Sequence, residues 1–137
     1  MPEQAIKLVL AFLNYKKVAC EELSLHFVDK EKISSLHDLY FSDPSPTDCI
    51  SFPIDSPKEN PCVFLGEIFI CPEVAIEQSQ EFNTDPCFEL SLYIIHGLLH
   101  LLEFDDIEEK EQKIMRQEEK AAIAMLMEKN ILIKPRT

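Results

Sequence analysis

The stretch D-P-C-F-E-L-S-L-Y-I-I-H-G-L-L-H-L-L-E-F-D-D, residues 85 to 106, decides the fold. Asp85 and Pro86 have the form of a helix N-cap followed by proline at the first helical position. From Cys87 to Leu102 the chain is apolar on nearly every side, and its polar residues are only Glu89, Ser91, His96 and His100. A helix with this pattern is buried on most sides, so we expect it to lie at the centre of the molecule.

The two histidines of this helix, His96 and His100, are four residues apart. At 3.6 residues per turn both rings lie on one face, where two imidazoles can hold one divalent metal ion. In such apolar surroundings each ring needs a polar partner, and a shared metal supplies one for both. The other interpretation is two core histidines, each hydrogen-bonded to a backbone carbonyl. The spacing leaves both interpretations open.

Asp106 is the third candidate ligand, because it is the eleventh residue counted from His96. The third ligand of the metzincin signature H-E-x-x-H-x-x-G-x-x-H has this position, and Asp is an acceptable oxygen ligand for zinc. Asp106 also begins D-I-E-E, which has the form of a helix capping box, and Asp105 could provide the cap instead. The spacing alone explains Asp106 equally well as a helix cap and as a metal ligand.

Gly97 argues against a metallopeptidase. Peptidases with this histidine spacing use Glu at the second position of the motif as general base. Glycine can neither bind the metal nor accept a proton. A minimal metallopeptidase is therefore the weakest of the functional hypotheses.

The segments on both sides of the central helix alternate between helix and strand patterns. Helical spacing or capping predicts helices over residues 3 to 16, after Asp29, from Pro72 to Phe82, and from Ile107 to Lys129. Alternation and buried apolar runs predict strands around residues 23 to 27, 48 to 52 and 63 to 71, with Gly66 at a bulge or a close approach. Nothing indicates a repeat or a linker, so we expect one domain over residues 1 to 137.

The formal net charge is −12. Residues 59 to 109 hold twelve acidic residues and no Lys or Arg, so the net charge lies in this central region. Proteins that bind nucleic acid through a broad basic face are excluded, because that mode needs clustered Lys and Arg opposite phosphates. A cation partner, a docking surface for a basic protein, and a solubilising face remain open.

The cysteines and the N-terminus bear on location. The chain has five cysteines and no C-x-x-C pair, which predicts reduced thiols in a cytosolic protein rather than a four-cysteine zinc site. The apolar run from Ala5 to Leu13 is too short to span a membrane and follows no basic segment. We expect an intracellular protein with no membrane partner.

Three linked motifs carry a resemblance to a known family. H-G-L-L-H-L-L-E-F-D-D, residues 96 to 106, resembles the H-G-x-L-H-L-x-G-Y-D-H signature of the YbeY family of bacterial endoribonucleases. P-T-D-C-I-S-F-P, residues 46 to 53, resembles that family's P-T-D-V-L-S-F-P strand. L-G-E-I-F-I, residues 65 to 70, resembles its L-G-D-I-x-I strand. The motifs occur in the same order over nearly the whole chain.

The resemblance implies an α+β fold in which a small mixed β-sheet packs against several helices, with the metal site in the cleft between a buried helix and the sheet. It implies one zinc ion per chain, with another divalent metal as the alternative, held by His96, His100 and Asp106. It also implies a single-strand-specific endoribonuclease of the cytoplasm that acts in small-subunit rRNA 3′-end maturation and ribosome quality control. The implied partners are single-stranded rRNA, a small-subunit ribosomal protein and an assembly GTPase.

This chain departs from the family pattern at three positions. Asp106 replaces a histidine, and a carboxylate ligand neutralises part of the metal charge. Glu103 replaces a glycine, so we expect a strained or different helix end there. Phe41 stands where the family has an arginine that would suit a phosphate contact.

Other residues complete the predicted site. Asp105 is a weak candidate for accepting a proton or orienting a ligand. Ser51 and Phe52 lie on the strand expected near the cleft and are candidates for contact with RNA, Phe52 by base stacking. His26 and His37 are expected to face solvent. The alternative function is a ribosome-assembly binding factor with a structural or vestigial metal site and weak or no nuclease activity.

Overall fold

The structure, a computed structural model, describes residues 2 to 134. Residues 1 and 135 to 137, which the expected single domain includes, lie outside the described residues. The elements in chain order are α1 (Pro2–Tyr15), β1 (Glu22–Phe27), α2 (Lys30–Phe41), β2 (Cys49–Pro53), β3 (Phe64–Ile70), α3 (Pro72–Phe82), α4 (Pro86–Leu101) and α5 (Glu109–Glu128). Within these described residues, five helices and a small three-stranded mixed sheet confirm the predicted α+β class.

The helices begin where proline and capping residues predict. The side chain of Asp29 accepts a backbone N–H of the first turn of α2 at 2.8 Å. Asp85 does the same for α4 at 2.9 Å. Pro72 and Pro86 are the first residues of α3 and α4. At this position the missing N–H of proline costs nothing, because a first-turn N–H has no partner within the helix.

The cap of α5 differs from prediction. Its N-cap is Glu108, whose backbone N–H donates to Oε1 of Glu111 at 3.2 Å. The expectation that Asp106 or Asp105 caps this helix is wrong, because α5 begins at Glu109. Asp106 is therefore free of a capping role.

The end of α4 explains why the next helix begins late. Glu103 has φ 76°, in the left-handed region, as expected for a position that favours glycine. The N–H of Phe104 donates to the carbonyl of Leu99 at 3.0 Å, and the N–H of Glu103 donates to that of His100 at 3.0 Å. This pair of hydrogen bonds is a Schellman cap, which ends the helix and turns the chain back toward the histidines.

The sheet has the strand order β1-β3-β2, with β1 parallel and β2 antiparallel to β3. Between the pairs Glu22–Phe64 and Ser24–Glu67, β3 has one extra residue, which makes a bulge. Gly66 lies within it. A Cβ there would be 2.6 Å from the carbonyl oxygen of Phe52, so Gly66 marks both a bulge and a close approach, as predicted.

Helix α4 is the centre of the core, as its sequence predicts. It contacts α1, α3, α5, β2 and β3. Gly97 lets the helix approach the sheet closely, because an added Cβ would be 2.9 Å from both Cys49 Sγ and Ile68 Cγ2. Gly97, which stands where a peptidase has its general base, is thus needed for the close packing of α4 on the sheet.

The buried faces of the first and last helices differ from the predicted stripes. In α1 the spacing predicts an apolar face of Ile6, Val9, Leu10 and Leu13. Ile6 and Leu10 are exposed, whereas Val9 and Leu13 are half-buried against the core. The buried residues are Ala5, Leu8 and Phe12. In α5 the spacing predicts an apolar side of Ile114, Ala121, Ala122 and Met125. Ala122 is buried as predicted and Met125 is half-buried, whereas Ile114 and Ala121 are exposed. The buried residues there are Met115, Glu119, Ala122, Ile123 and Leu126.

The expectation of reduced cysteines is wrong for two of the five. Cys20 and Cys62 form a disulfide, with their Cα atoms 4.8 Å apart. The sequence neighbour Glu21 donates its N–H to the carbonyl of Cys62 at 3.1 Å, which holds the two segments together. Cys49, Cys71 and Cys87 are free thiols. In the described part of the chain, no helix has the length and apolar character to cross a membrane.

Candidate metal centre

His96, His100 and Asp106 form a cluster that could hold a metal ion, with one ligand atom from each residue within 4.8 Å of the others. Nε2 of His96 lies 3.0 Å from Nε2 of His100. Asp106 Oδ2 is 3.4 Å from His96 Nε2, and Asp106 Oδ1 is 3.7 Å from His100 Nε2. Helix α4 supplies both rings on one face, and the Schellman cap returns the chain so that Asp106 faces them.

These separations fit a small divalent ion. Ligands about 2.0 to 2.1 Å from a tetrahedral zinc ion are about 3.3 Å from one another. The distance between the two Nε2 atoms is 3.0 Å, and those to the two different oxygens of Asp106 are 3.4 and 3.7 Å, on both sides of that value. Two imidazoles and one carboxylate leave a fourth position open, which is typical of catalytic rather than structural zinc sites.

Glu119 of α5 holds the ring of His96 from its other side. Its Oε2 lies 2.6 Å from His96 Nδ1, and its side chain is 5% exposed. A carboxylate only accepts here, so Nδ1 carries the hydrogen and Nε2 keeps its lone pair for a metal. The Glu119–His96 pair therefore selects the tautomer that a metal ligand needs.

Arg116 completes this support. Its guanidinium donates to Oε1 of Glu119 at 2.6 Å. Burial alone would raise the pKa of the Glu119 carboxyl, but the hydrogen bond and charge of His96, together with Arg116, outweigh burial. They hold the pKa below its usual value of 4.5, so the carboxylate is ionised at neutral pH.

His100 is neutral at physiological pH. Burial lowers its pKa below the ordinary 6.5, and the charge of nearby His96 lowers it further. The charges of Asp106 and Asp105 oppose this shift without reversing it. Metal ligation needs the neutral imidazole, so the environment favours the ligating form.

The two histidines line a cleft of about 320 Å³ between α4, β2 and the end of α2. Its wall also includes His37, Phe41, Thr47 and Ser51. Among residues 2 to 134, no Lys or Arg lines this cleft. Cys49 also lines it, but burial raises the pKa of this thiol to about 12, so it is not a thiolate nucleophile.

Of the other predicted site residues, the structure places Ser51 in the cleft wall and Phe52 and Asp105 outside it. Ser51 lines the cleft and donates its hydroxyl to the Gly97 carbonyl at 3.2 Å. Phe52 is not brought to the cleft, because successive side chains of a strand point to opposite faces. It lies against Tyr40 and Phe69, with ring centroids 4.8 and 5.8 Å away. Asp105 is exposed next to the cluster and is not one of its three residues.

Two residues near the site were missed or misjudged from sequence. Glu119 was not predicted, although it occupies a core position in the stripe that contains Met115 and Ala122, and an acid at such a position is the signal that could have revealed it. His37 was expected to face solvent. Its side chain is only 21% exposed, and it lines the cleft.

The chain is similar to known proteins in sequence and in structure. The family model described as Endoribonuclease YbeY matches residues 1–127. A protein of that name from Protochlamydia amoebophila (strain UWE25) is 42% identical over 93% of this chain and 85% of its own length. One from Chlamydia abortus (strain DSM 27085 / S26/3) is 44% identical over 93% and 83%. The solution structure of TM1509 from Thermotoga maritima matches with a TM-score of 0.68 and 25% identity, over 93% of this chain and 84% of the other. The chain therefore belongs to the Endoribonuclease YbeY family, whose members are named as enzymes that cleave RNA.

Proposed function

We propose that this protein is a metal-dependent endoribonuclease specific for single-stranded RNA. The observation that carries the proposal is the cluster of His96, His100 and Asp106, whose two histidines line a cleft, in a chain of an endoribonuclease family. Within residues 2 to 134 the cleft wall has no Lys or Arg, so it offers no basic groove that would track a duplex backbone.

In this proposal His96, His100 and Asp106 hold one zinc ion per chain, with another divalent metal as the alternative. When bound, such an ion acts as a Lewis acid that lowers the pKa of a water molecule and withdraws charge from a phosphoryl oxygen. Glu119 keeps His96 in the ligating tautomer. Asp105, exposed beside the cluster, accepts the proton released at the cleft. The Ser51 hydroxyl contacts the RNA strand.

The biological role we propose is maturation of the 3′ end of small-subunit rRNA, together with ribosome quality control in the cytoplasm. The proposed partners are single-stranded rRNA, a small-subunit ribosomal protein and an assembly GTPase. The motif resemblance supports this assignment. The acidic region between residues 59 and 109 supports docking on basic ribosomal surfaces through electrostatic steering.

The test compares zinc-loaded wild-type protein with the His96→Ala/His100→Ala double variant on a fluorescent single-stranded oligoribonucleotide. A matched control is His26→Ala, which removes a histidine of β1 outside the cleft. We expect the double variant to lose both bound zinc and cleavage, and His26→Ala to keep both. Cleavage by the metal-free double variant would contradict the proposal.

The rRNA role needs a separate measurement. In a bacterium that lacks its own family member, wild-type protein should restore mature 3′ ends of small-subunit rRNA, and the double variant should not. Normal 3′ ends with the inactive variant would argue that binding rather than cleavage provides the function.

A second candidate function is a ribosome-assembly binding factor whose metal is structural. The part of the cleft wall that the structure describes includes Phe41 and has no Lys or Arg, which favours this function. It predicts salt-sensitive binding to a small-subunit ribosomal protein and no RNA cleavage with any divalent metal. Robust cleavage by the zinc-loaded protein would eliminate it.

A further inference from the structure

A third histidine, His37 near the end of α2, shares the cleft wall with His96 and His100 but is outside the ligand cluster. Its ring is held in place. Nδ1 lies 2.8 Å from the carbonyl oxygen of Ser45, and the ring of Phe41 packs at a tilt with centroids 5.7 Å apart. The side chain is thus fixed at the edge of the cleft rather than free in solvent.

The loop that accepts this hydrogen bond is itself ordered by Asp43. One carboxylate oxygen of Asp43 accepts the N–H of Ser45 at 3.0 Å and its hydroxyl at 2.6 Å. The other oxygen lies 4.0 Å from His37 Nδ1. The arrangement supports a particular orientation of His37.

The hydrogen-bond pattern leaves one polar atom of the ring available. A carbonyl oxygen only accepts, so Nδ1 carries a hydrogen in both charge states of the imidazole. Nε2 is then either a lone pair or a second N–H donor. Across residues 2 to 134 the structure gives Nε2 no hydrogen-bond partner.

The composition of the cleft indicates what Nε2 would bind. With no Lys or Arg in the described wall, His37 is the one lining side chain outside the ligand cluster that can carry positive charge. Each nucleotide of an RNA strand brings an anionic phosphodiester. A charged imidazole donates to phosphate oxygens with charge-assisted hydrogen bonds, about twice as strong as neutral ones.

We propose that His37 binds the RNA phosphodiester in the cleft, donating Nε2–H to a phosphoryl oxygen while Nδ1–H stays on the Ser45 carbonyl. This inference rests on the proposed function, since it assumes that RNA enters the cleft. It makes His37 a substrate-binding residue of this chain, distinct from the metal ligands. Phe41 supports the ring from the side.

The test measures KM and kcat on a fluorescent single-stranded oligoribonucleotide with zinc-loaded wild type, His37→Gln and His37→Lys. The matched control is His26→Gln, the same change outside the cleft. We expect His37→Gln to raise KM about tenfold to a hundredfold, as for loss of a hydrogen bond to a charged group. Zinc content and Tm should stay at wild-type values, and His26→Gln should behave as wild type.

Salt dependence separates a phosphate contact from a structural role. The slope of log KM against log salt concentration should be about 0.7 smaller for His37→Gln, and His37→Lys should restore it. Wild-type KM and slope in His37→Gln, or loss of zinc from it, would overturn the proposal while the nuclease function stands. A wild-type protein that neither binds nor cleaves RNA would instead overturn the proposed function and this inference together.

Discussion

Oε2 of Glu119 on α5 lies 2.6 Å from Nδ1 of His96 on α4. The contact joins the last helix to the central one and fixes the ring whose other nitrogen faces Asp106. Carboxylate–histidine pairs of this kind orient metal ligands and raise their basicity. The geometry of the candidate centre thus depends on a residue outside the histidine motif.

Replacing Glu119 with Gln should weaken metal binding without removing a ligand. The amide loses the negative charge and can donate to Nδ1, which would move the hydrogen to Nε2 and block ligation. We expect zinc affinity to fall about 10- to 100-fold. Competition with a chromophoric chelator measures this, with the exposed Glu128→Gln as control. Equal affinities for wild type and Glu119→Gln would show that this contact does not support the metal site.

The failure to predict Glu119 has a physical cause. The first half of α5 is rich in charged residues, so its apolar periodicity is weak, and the predicted stripe of Ile114, Ala121, Ala122 and Met125 is right only in part. The observed stripe passes through Met115, Glu119 and Ala122, of which only Ala122 was predicted. Which stripe is buried depends on how α5 packs against α4, a tertiary contact that local spacing does not contain.

Prediction succeeded where local chemistry is decisive. The starts of α2, α3 and α4 follow from Asp29, Pro72 and the Asp85–Pro86 pair, because capping and proline geometry act within one turn. The central position of α4 follows from its apolar surface. His37 could not be assigned to the cleft, because its place there depends on the loop after α2 folding back against it.

Asp106 should be needed for metal binding, and Asp105 should not. The cap of α5 is Glu108, so the remaining role for Asp106 is the one its 3.4 Å distance from His96 Nε2 suggests. We expect Asp106→Ala to lower zinc affinity at least about tenfold, and Asp105→Ala, the adjacent exposed acid, to keep one zinc per chain. Elemental analysis after dialysis against zinc buffers measures both. Full zinc retention in Asp106→Ala would leave only the two histidines as ligands.

Glu103 should be a site where glycine stabilises the fold. Its φ of 76° is costly for a residue with a Cβ, by about 1 kcal/mol. Its carboxylate also accepts the Ser56 hydroxyl at 2.7 Å, which offsets part of any gain. We therefore expect Glu103→Gly to raise the free energy of unfolding by about 1 kcal/mol in a Ser56→Ala background, and by less in wild type.

Urea denaturation measures these free energies. The same substitution at Glu89, in the first turn of α4, is the control. There glycine should destabilise, because it is a poorer helix former than Glu and because the hydrogen bond from the Thr84 hydroxyl is lost. If Glu103→Gly destabilises in both backgrounds, the positive φ is not a source of strain.

The Cys20–Cys62 disulfide predicts a thiol count. Protein denatured without reductant should react with a thiol reagent at three sites, and at five after reduction. Cys87→Ser should lower the first count by one, and the double variant Cys20→Ser/Cys62→Ser should leave it at three. Five reactive thiols before reduction would show that the bond is absent from the purified protein.

The metal-free protein should lose stability as the solution becomes acidic. The pKa of His100 is lowered in the folded state by burial and by the charge of His96, so below 6.5 the unfolded chain binds more protons at this residue. The lowered pKa of Glu119 acts in the same direction below 4.5, where the unfolded carboxyl is protonated first. Each group contributes a slope of at most about 1.4 kcal/mol per pH unit.

Urea midpoints measured in EDTA at pH 7, 6 and 5 should therefore fall in that order. The fall above pH 5 should be smaller in His100→Gln, because the His100 contribution is then missing. In Glu119→Gln the urea midpoint should still fall between pH 7 and pH 5, since the Glu119 carboxyl of the wild type titrates below this range. A flat profile in wild-type protein would mean that His100 binds its proton equally well in the folded and unfolded chain, and that burial beside His96 does not disfavour its charge.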